Sequence, residues 1–381
     1  MSKSEPTTSA LAEAIAALPL VDHHVHSFAN AALTDDEVLD HLTESPDRHG
    51  ARTSPFDASL GLAVRKVAGP LLGLVPPVDA AAYLHQRSLR APLAWTRTCL
   101  EEARLGALLV DTGFHQDRLL DLGTLAELGV GQVREIRRIE HTAETMLAAL
   151  DSPEAFLVAW TEAIGALPAE VVGWKSVAAY RSGLALPAEV PSRAEVLFAL
   201  GHELRRPTLR LADPVVIRYL LATVLEATDL PIQFHVGLGD PDVRLATGRP
   251  GHLQPFIEEA VRFGNPICLL HCYPYHREAA LLAHDYPHVF LDLGPALGFV
   301  GPYAQRILSE TLELAPFAKL LYASDAYLLP ELAYLGAVAF REALLAELGD
   351  LVESTYLNEA EAIRIARLIG HVTATELYRL P

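Results

Sequence analysis

Short apolar, β-favouring runs recur along the chain, each followed by a stretch with the apolar spacing of a helix. The runs are 19–26 (LPLVDHHV), 107–113 (ALLVDTG), 134–140 (REIRRIE), 170–177 (EVVGWKSV), 231–237 (PIQFHVG), 266–272 (PICLLHC), 288–294 (HVFLDLG) and 319–325 (KLLYASD). Strands alternating with helices predict parallel βαβ units. Eight such units predict an α/β fold of the (β/α)8 TIM-barrel type, with functional side chains at the C-terminal strand ends. The first two runs are separated by residues 27–106, far longer than an ordinary connection. In that gap Thr34 to Glu37 (TDDE) reads as a capping box, and SPFDASLGLAVRKVAG and AAAYLHQRSL read as helices. Residues 30–105 are therefore expected to form a mostly helical insertion, a lid over the barrel mouth, within a single 1–381 unit. The stretch NEAEAIRIARLIGHVTATELYRL reads as two helices separated at Gly370.

Composition adds bounds. With 51% hydrophobic residues among 381, the chain can bury a large core. A formal net charge of -18 argues against nucleic acid and anionic lipid as partners, so an anionic substrate needs a local positive site. Cys99, Cys268 and Cys272 show no zinc-type spacing, and the last two, four apart on one strand, lie too far from each other to bridge. That fits a reducing cytosol, and a cytoplasmic location is expected. The first twenty residues, interrupted by Glu13, do not read as a signal peptide, and no apolar run is long enough to span a membrane.

The strand ends carry the chemistry. His24 and His26 share a face if the first strand alternates regularly, with Val21, His23 and Val25 on the other. Lys175 ends the fourth strand, His235 the fifth, His271 the sixth and Asp325 the eighth. Four imidazoles, a carboxylate and an amine from five strands would meet in one mouth. Imidazole and carboxylate suit a borderline metal such as zinc, with manganese, iron or nickel as alternatives. Arg181 (AAYRSGL) offers a bidentate clamp for a carboxylate, and Glu140 could hold an amine. His276 could line the mouth or equally start a helix, the turn-forming GLGDPD segment with Asp240 could be a substrate loop, and His23 and His115 are expected to be structural or solvent-facing.

In this order, His-x-His, Lys, His, His and Asp, the chain resembles the amidohydrolase superfamily. GWKSVAAYRSGL, HVGLGDPD and LLHCYPYHREAALLAHDYPHVFLDLG resemble its amidohydrolase-2 branch, and within it the hydrolase domain of fluG-type glutamine-synthetase fusion proteins. No second domain of that kind is expected in these residues. Where the family carries Asn-Ala before the last helix, this chain has Thr373 and Ala374, and threonine also caps.

The resemblance implies a metal-dependent amidohydrolase that cleaves a C–N bond of a small carboxylate-bearing substrate, such as a γ-glutamyl or other amino-acid amide. His24, His26 and Asp325 would hold one ion, and His235 and His271 a second. Lys175, once carbamylated, would bridge the two. With an unmodified lysine, a single ion on His24, His26, His235 and Asp325 is expected, and His271 would bond substrate. Asp325 and His271 are the expected catalytic residues, Asp325 as proton carrier. The alternatives are a decarboxylase or uronate-isomerase-like enzyme on the same barrel, or an inactive binding module. A homodimer is the expected assembly.

Overall fold

The structure is a computed structural model describing residues 9–46, 54–129, 131–150 and 152–381. Seven parallel strands pair in chain order: β1 (Leu20–Val25), β2 (Leu105–Asp111), β3 (Gln132–Arg138), β4 (Val171–Ser176), β5 (Ile232–Val236), β6 (Ile267–His271) and β7 (Val289–Leu291). The eighth run, residues 320–326, closes the ring without forming a regular strand. It bridges β7 through Leu291 and Leu320, and Leu321 N–H donates to Leu291 O at 2.9 Å. On the other side His23 N–H donates to Tyr322 O, Asp325 N–H to His24 O and His26 N–H to Ala326 O, at 3.1, 3.0 and 2.9 Å. The ladder is irregular because the Asp22 carboxylate takes the Ser324 amide and hydroxyl.

Alternation separates an outer from an inner layer. Leu20, Leu108, Val110, Trp174, Phe234 and Leu269 pack outward against the helices. Val21, Ala107, Leu109, Ile136, Val172, Leu270 and Leu321 fill the lumen, where Ala374, Tyr378 and Leu380 plug the floor. No separate cap marks Thr373: a π turn over Leu368–Val372 joins helix Glu359–Arg367 to Thr373–Leu377, so the expected break at Gly370 is a widened turn.

The polypeptide between β1 and β2 has its own small core. The predicted capping box holds, with Thr34 accepting from Glu37 N–H, and helices follow over Ser59–Ala68, Ala80–Ser88 and Pro92–Ala103. Val38, Phe56, Leu60, Val64, Tyr83 and Trp95 pack with Leu329 and Leu335 at the long helix Pro330–Glu353. Residues 47–53 of the expected insertion lie outside the described residues. Glu331, fully buried, anchors this layer: it accepts from both the Nε and Nη2 of Arg87, from Trp95 Nε1 at 2.9 Å and from the Tyr83 hydroxyl at 3.3 Å. The three cysteines are buried and free. Among the described residues no helix is long and apolar enough to cross a membrane.

Candidate metal centre

The site begins with a bulge. Asp22 pairs with Leu108 and Val25 with Val110, so β1 spends three steps where β2 spends two. Regular alternation, which places His23 opposite His24, therefore fails. Val25 joins the outer core, while His23 and His24 both turn inward. His23 lies beneath the mouth, with Nε2 at 2.9 Å from Asp292 and Nδ1 at 2.9 Å from the Tyr378 hydroxyl.

The other five expected residues gather about Asp325. Its Oδ1 is 3.2 Å from His24 Nε2 and 3.3 Å from His26 Nε2, and its Oδ2 is 3.5 Å from His271 Nε2. Lys175 Nζ lies 3.5 Å from His24 Nε2, and the rings of His235 and His271 are 4.6 Å apart. Donors about 3.3 Å apart are the edge of a tetrahedron whose metal–nitrogen bonds are near 2 Å. His235 Nε2, both ring nitrogens of His271 and Asp325 Oδ1 are buried and make no hydrogen bond within the chain. A cluster of lone pairs left this way fits a divalent cation. His271 and Asp325 both sit at positive φ, 68° and 52°, where their strands break off over the mouth.

Neighbouring groups aim the ligands. Gln233 donates its amide to His23 O and to the Tyr378 hydroxyl, at 2.7 and 2.9 Å. Its carbonyl oxygen is thereby left to face His24 Nδ1 at 2.8 Å. That bond places the proton of His24 on Nδ1 and leaves Nε2 as the free lone pair. The Tyr378 hydroxyl can then donate to His23, and His23 to Asp292, which also takes the His271 backbone amide at 2.8 Å.

Electrostatics follow the same lines. Burial lowers Lys175 to about 8, against the pull of Asp325 and Asp111. Burial would raise Asp325, but His271, His24 and His26 outweigh it and hold the carboxyl well below its usual range. Burial and the Lys175 ammonium lower His24 to about 4. In metal-free protein the unfolded chain therefore protonates this imidazole near pH 6.5 and the folded chain only near 4. Stability is lost as pH falls through that window, on the order of 2 kcal/mol by pH 4.5. Urea unfolding of metal-stripped wild type and His24→Asn at pH 7 and 4.5 checks this: wild type should lose more than the variant by that amount, and parallel losses would contradict it.

A cavity of about 690 Å³ opens above these groups, walled on one side by Asp40, His41, Glu44 and Leu60 of the insertion. Arg181 and Asp240 line it as expected. Arg181 pairs with Glu144 at 3.2 Å through Nη2, while its Nε and Nη1 are enclosed without partners. Two expectations are corrected. Glu140 does not end the third strand but opens helix Ile139–Ala148; fully buried, it takes the Ser176 hydroxyl at 2.6 Å and the Val177 amide, and cannot reach an amine in the mouth. His276 does not line the cavity; of its two expected places it takes the other, starting the helix after β6, where it bonds Glu310 at 2.9 Å. His115 is exposed on the loop after β2, its ring edge-on to that of Phe114.

Two residues not singled out in the sequence complete the wall. Asp111, the last residue of β2, lies 3.8 Å from His26 Nδ1 and is clamped by Arg138 at 2.6 and 3.1 Å. Burial opposes its ionisation, yet Arg138 and the two imidazoles hold it far below the usual range. The signal was available: in ALLVDTG a carboxylate directly follows the apolar run, as Asp325 closes its own.

An amidohydrolase family model matches residues 192–380, the half that carries His235, His271 and Asp325. A proposed metal-dependent hydrolase of Lactobacillus casei ATCC 334 is 30% identical, superposes with a TM-score of 0.86, and covers 97% of both chains. The chain belongs to the amidohydrolase family. This amidohydrolase is also 27% identical to the fluG protein of Emericella nidulans over 98% of its own length, and spans about half (47%) of that relative. Uronate isomerase of Thermotoga maritima shares the barrel, with a TM-score of 0.65 at 14% identity over 97% of this chain and 96% of the other. At that identity the likeness is one of fold.

Proposed function

We propose that this chain is a metal-dependent hydrolase of a C–N bond in a small, carboxylate-bearing amide, an amino-acid amide such as a γ-glutamyl derivative being the first to assay. The observation that carries this reading is Asp325 ringed by three imidazole Nε2 atoms within 3.5 Å, at the base of a cavity walled by the half-paired Arg181. His24, His26 and Asp325 would hold one divalent ion and His235 and His271 a second, with Lys175, carbamylated, between them. A bound ion there supplies Lewis-acid polarisation of the carbonyl and lowers the pKa of water from near 16 to about 7. Asp325, ionised and facing the same space, accepts the proton of the attacking water and returns it to the departing nitrogen. Arg181 receives the substrate carboxylate through the N–H groups it does not spend on Glu144.

The experiment is a metal count beside an amide panel. Chains loaded with zinc or manganese in bicarbonate should hold two ions by mass spectrometry of the digested protein. Lys175→Ala should hold fewer and release amine at least ~10²-fold more slowly. One ion in wild type together with no amine released from any amide would overturn hydrolysis and favour the decarboxylase or isomerase chemistry of the same barrel.

A further inference from the structure

A second, smaller cavity of about 300 Å³ adjoins the first and shares Tyr180, Arg181, Arg210 and Asp242 with it. Beyond these its walls carry the polar side chains of Ser182, Arg244 and Thr247 beside Ala179 and Gly183. Three guanidinium groups face one carboxylate there, in a chain whose net charge is -18. Arg210 spends Nη2 on Asp242 at 3.0 Å and on Tyr180 O at 3.2 Å. Arg244 is exposed, and its guanidinium bonds no side chain among the described residues. Arg181 stands in the shared wall, and its enclosed Nε and Nη1 are unspent. Gly183, at φ 82°, keeps the loop open, since a Cβ there would meet Thr247 Cβ at 2.7 Å.

We propose that the side cavity is a second oxyanion subsite, so that the substrate is a small amide bearing two anionic groups. One sits on Arg181 inside the main cavity, and the other reaches past it to Arg210 and Arg244. The inference rests on the proposed carboxylate-binding role of Arg181. Carboxylate and phosphate share the required chemistry, a planar or tetrahedral oxyanion able to take several N–H donors.

Calorimetry on the metal-loaded full chain, with propionate, succinate, glutarate and 3-phosphonopropionate as probes, tests it. At least one dianion should bind roughly tenfold or more tightly than propionate. Arg244→Ala should remove that advantage while leaving propionate affinity within about twofold. Whichever of the dicarboxylates or the phosphono acid gains more names the second group. Dianions binding no better than propionate, or an advantage that survives Arg244→Ala, would overturn the subsite alone. Failure of every probe to bind, with Arg181→Ala no different from wild type, would overturn the carboxylate reading with it.

Discussion

Asp325→Asn lowers turnover by about 10³-fold or more and reduces the metal content of the purified chain. The replacement keeps the shape of the side chain, so the folded state should survive. What it removes is the charge that three imidazoles surround at 3.2, 3.3 and 3.5 Å. The amide can offer one neutral oxygen, but it cannot balance a divalent ion as a carboxylate does, and it cannot carry the proton from water to the leaving nitrogen. Steady-state kinetics beside metal analysis reads both losses. A variant that retained full metal and turned over within tenfold of wild type would remove Asp325 from the chemistry.

The largest expected loss of stability lies away from the site. Glu331→Ala leaves Arg87 buried without its counter-charge and strips acceptors from Trp95 and Tyr83. Burial opposes the charge on Glu331, and Arg87 outweighs that, so the pair is ionised in the folded state. Removing one member of such a pair costs about 3–5 kcal/mol. Replacing both, as Arg87→Met with Glu331→Leu, should recover part of it, because no buried charge is then left unpaired, although Trp95 and Tyr83 still lack their acceptor. Chemical denaturation of the three proteins measures the difference. A loss below about 1 kcal/mol in Glu331→Ala would mean the carboxylate is not what holds the insertion to the barrel.

Short apolar runs, each followed by helical spacing, were enough to read the ring, since most of the parallel strands are apolar on both faces; β3, QVREIRR, is the charged exception. The eighth was legible as KLLYASD although its pairing is irregular, because composition survives where a ladder does not. Asp325, His235 and His271 could be placed for the same reason: each ends an apolar run. The bulge could not be read, since an extra residue in β1 leaves no mark in hydrophobicity, and it decides where His23 points. Glu140 and His276 were misplaced because the helices after β3 and β6 begin at or near the strand ends and turn both side chains toward neighbouring backbone and Glu310. Gln233 and Tyr378 were hidden by distance, 145 residues apart in sequence and 2.9 Å apart in space.

The plugged floor bears on biosynthesis. Tyr378 steadies Gln233, which aims His24, and residues 320–326 close the ring against β1. A nascent chain halted on the ribosome before these segments emerge would present two unpaired strand edges and five imidazole or amine groups without Asp325, the carboxylate they surround. Cation capture by the complete set is thus deferred until the segment that closes the ring has been made and paired with β1.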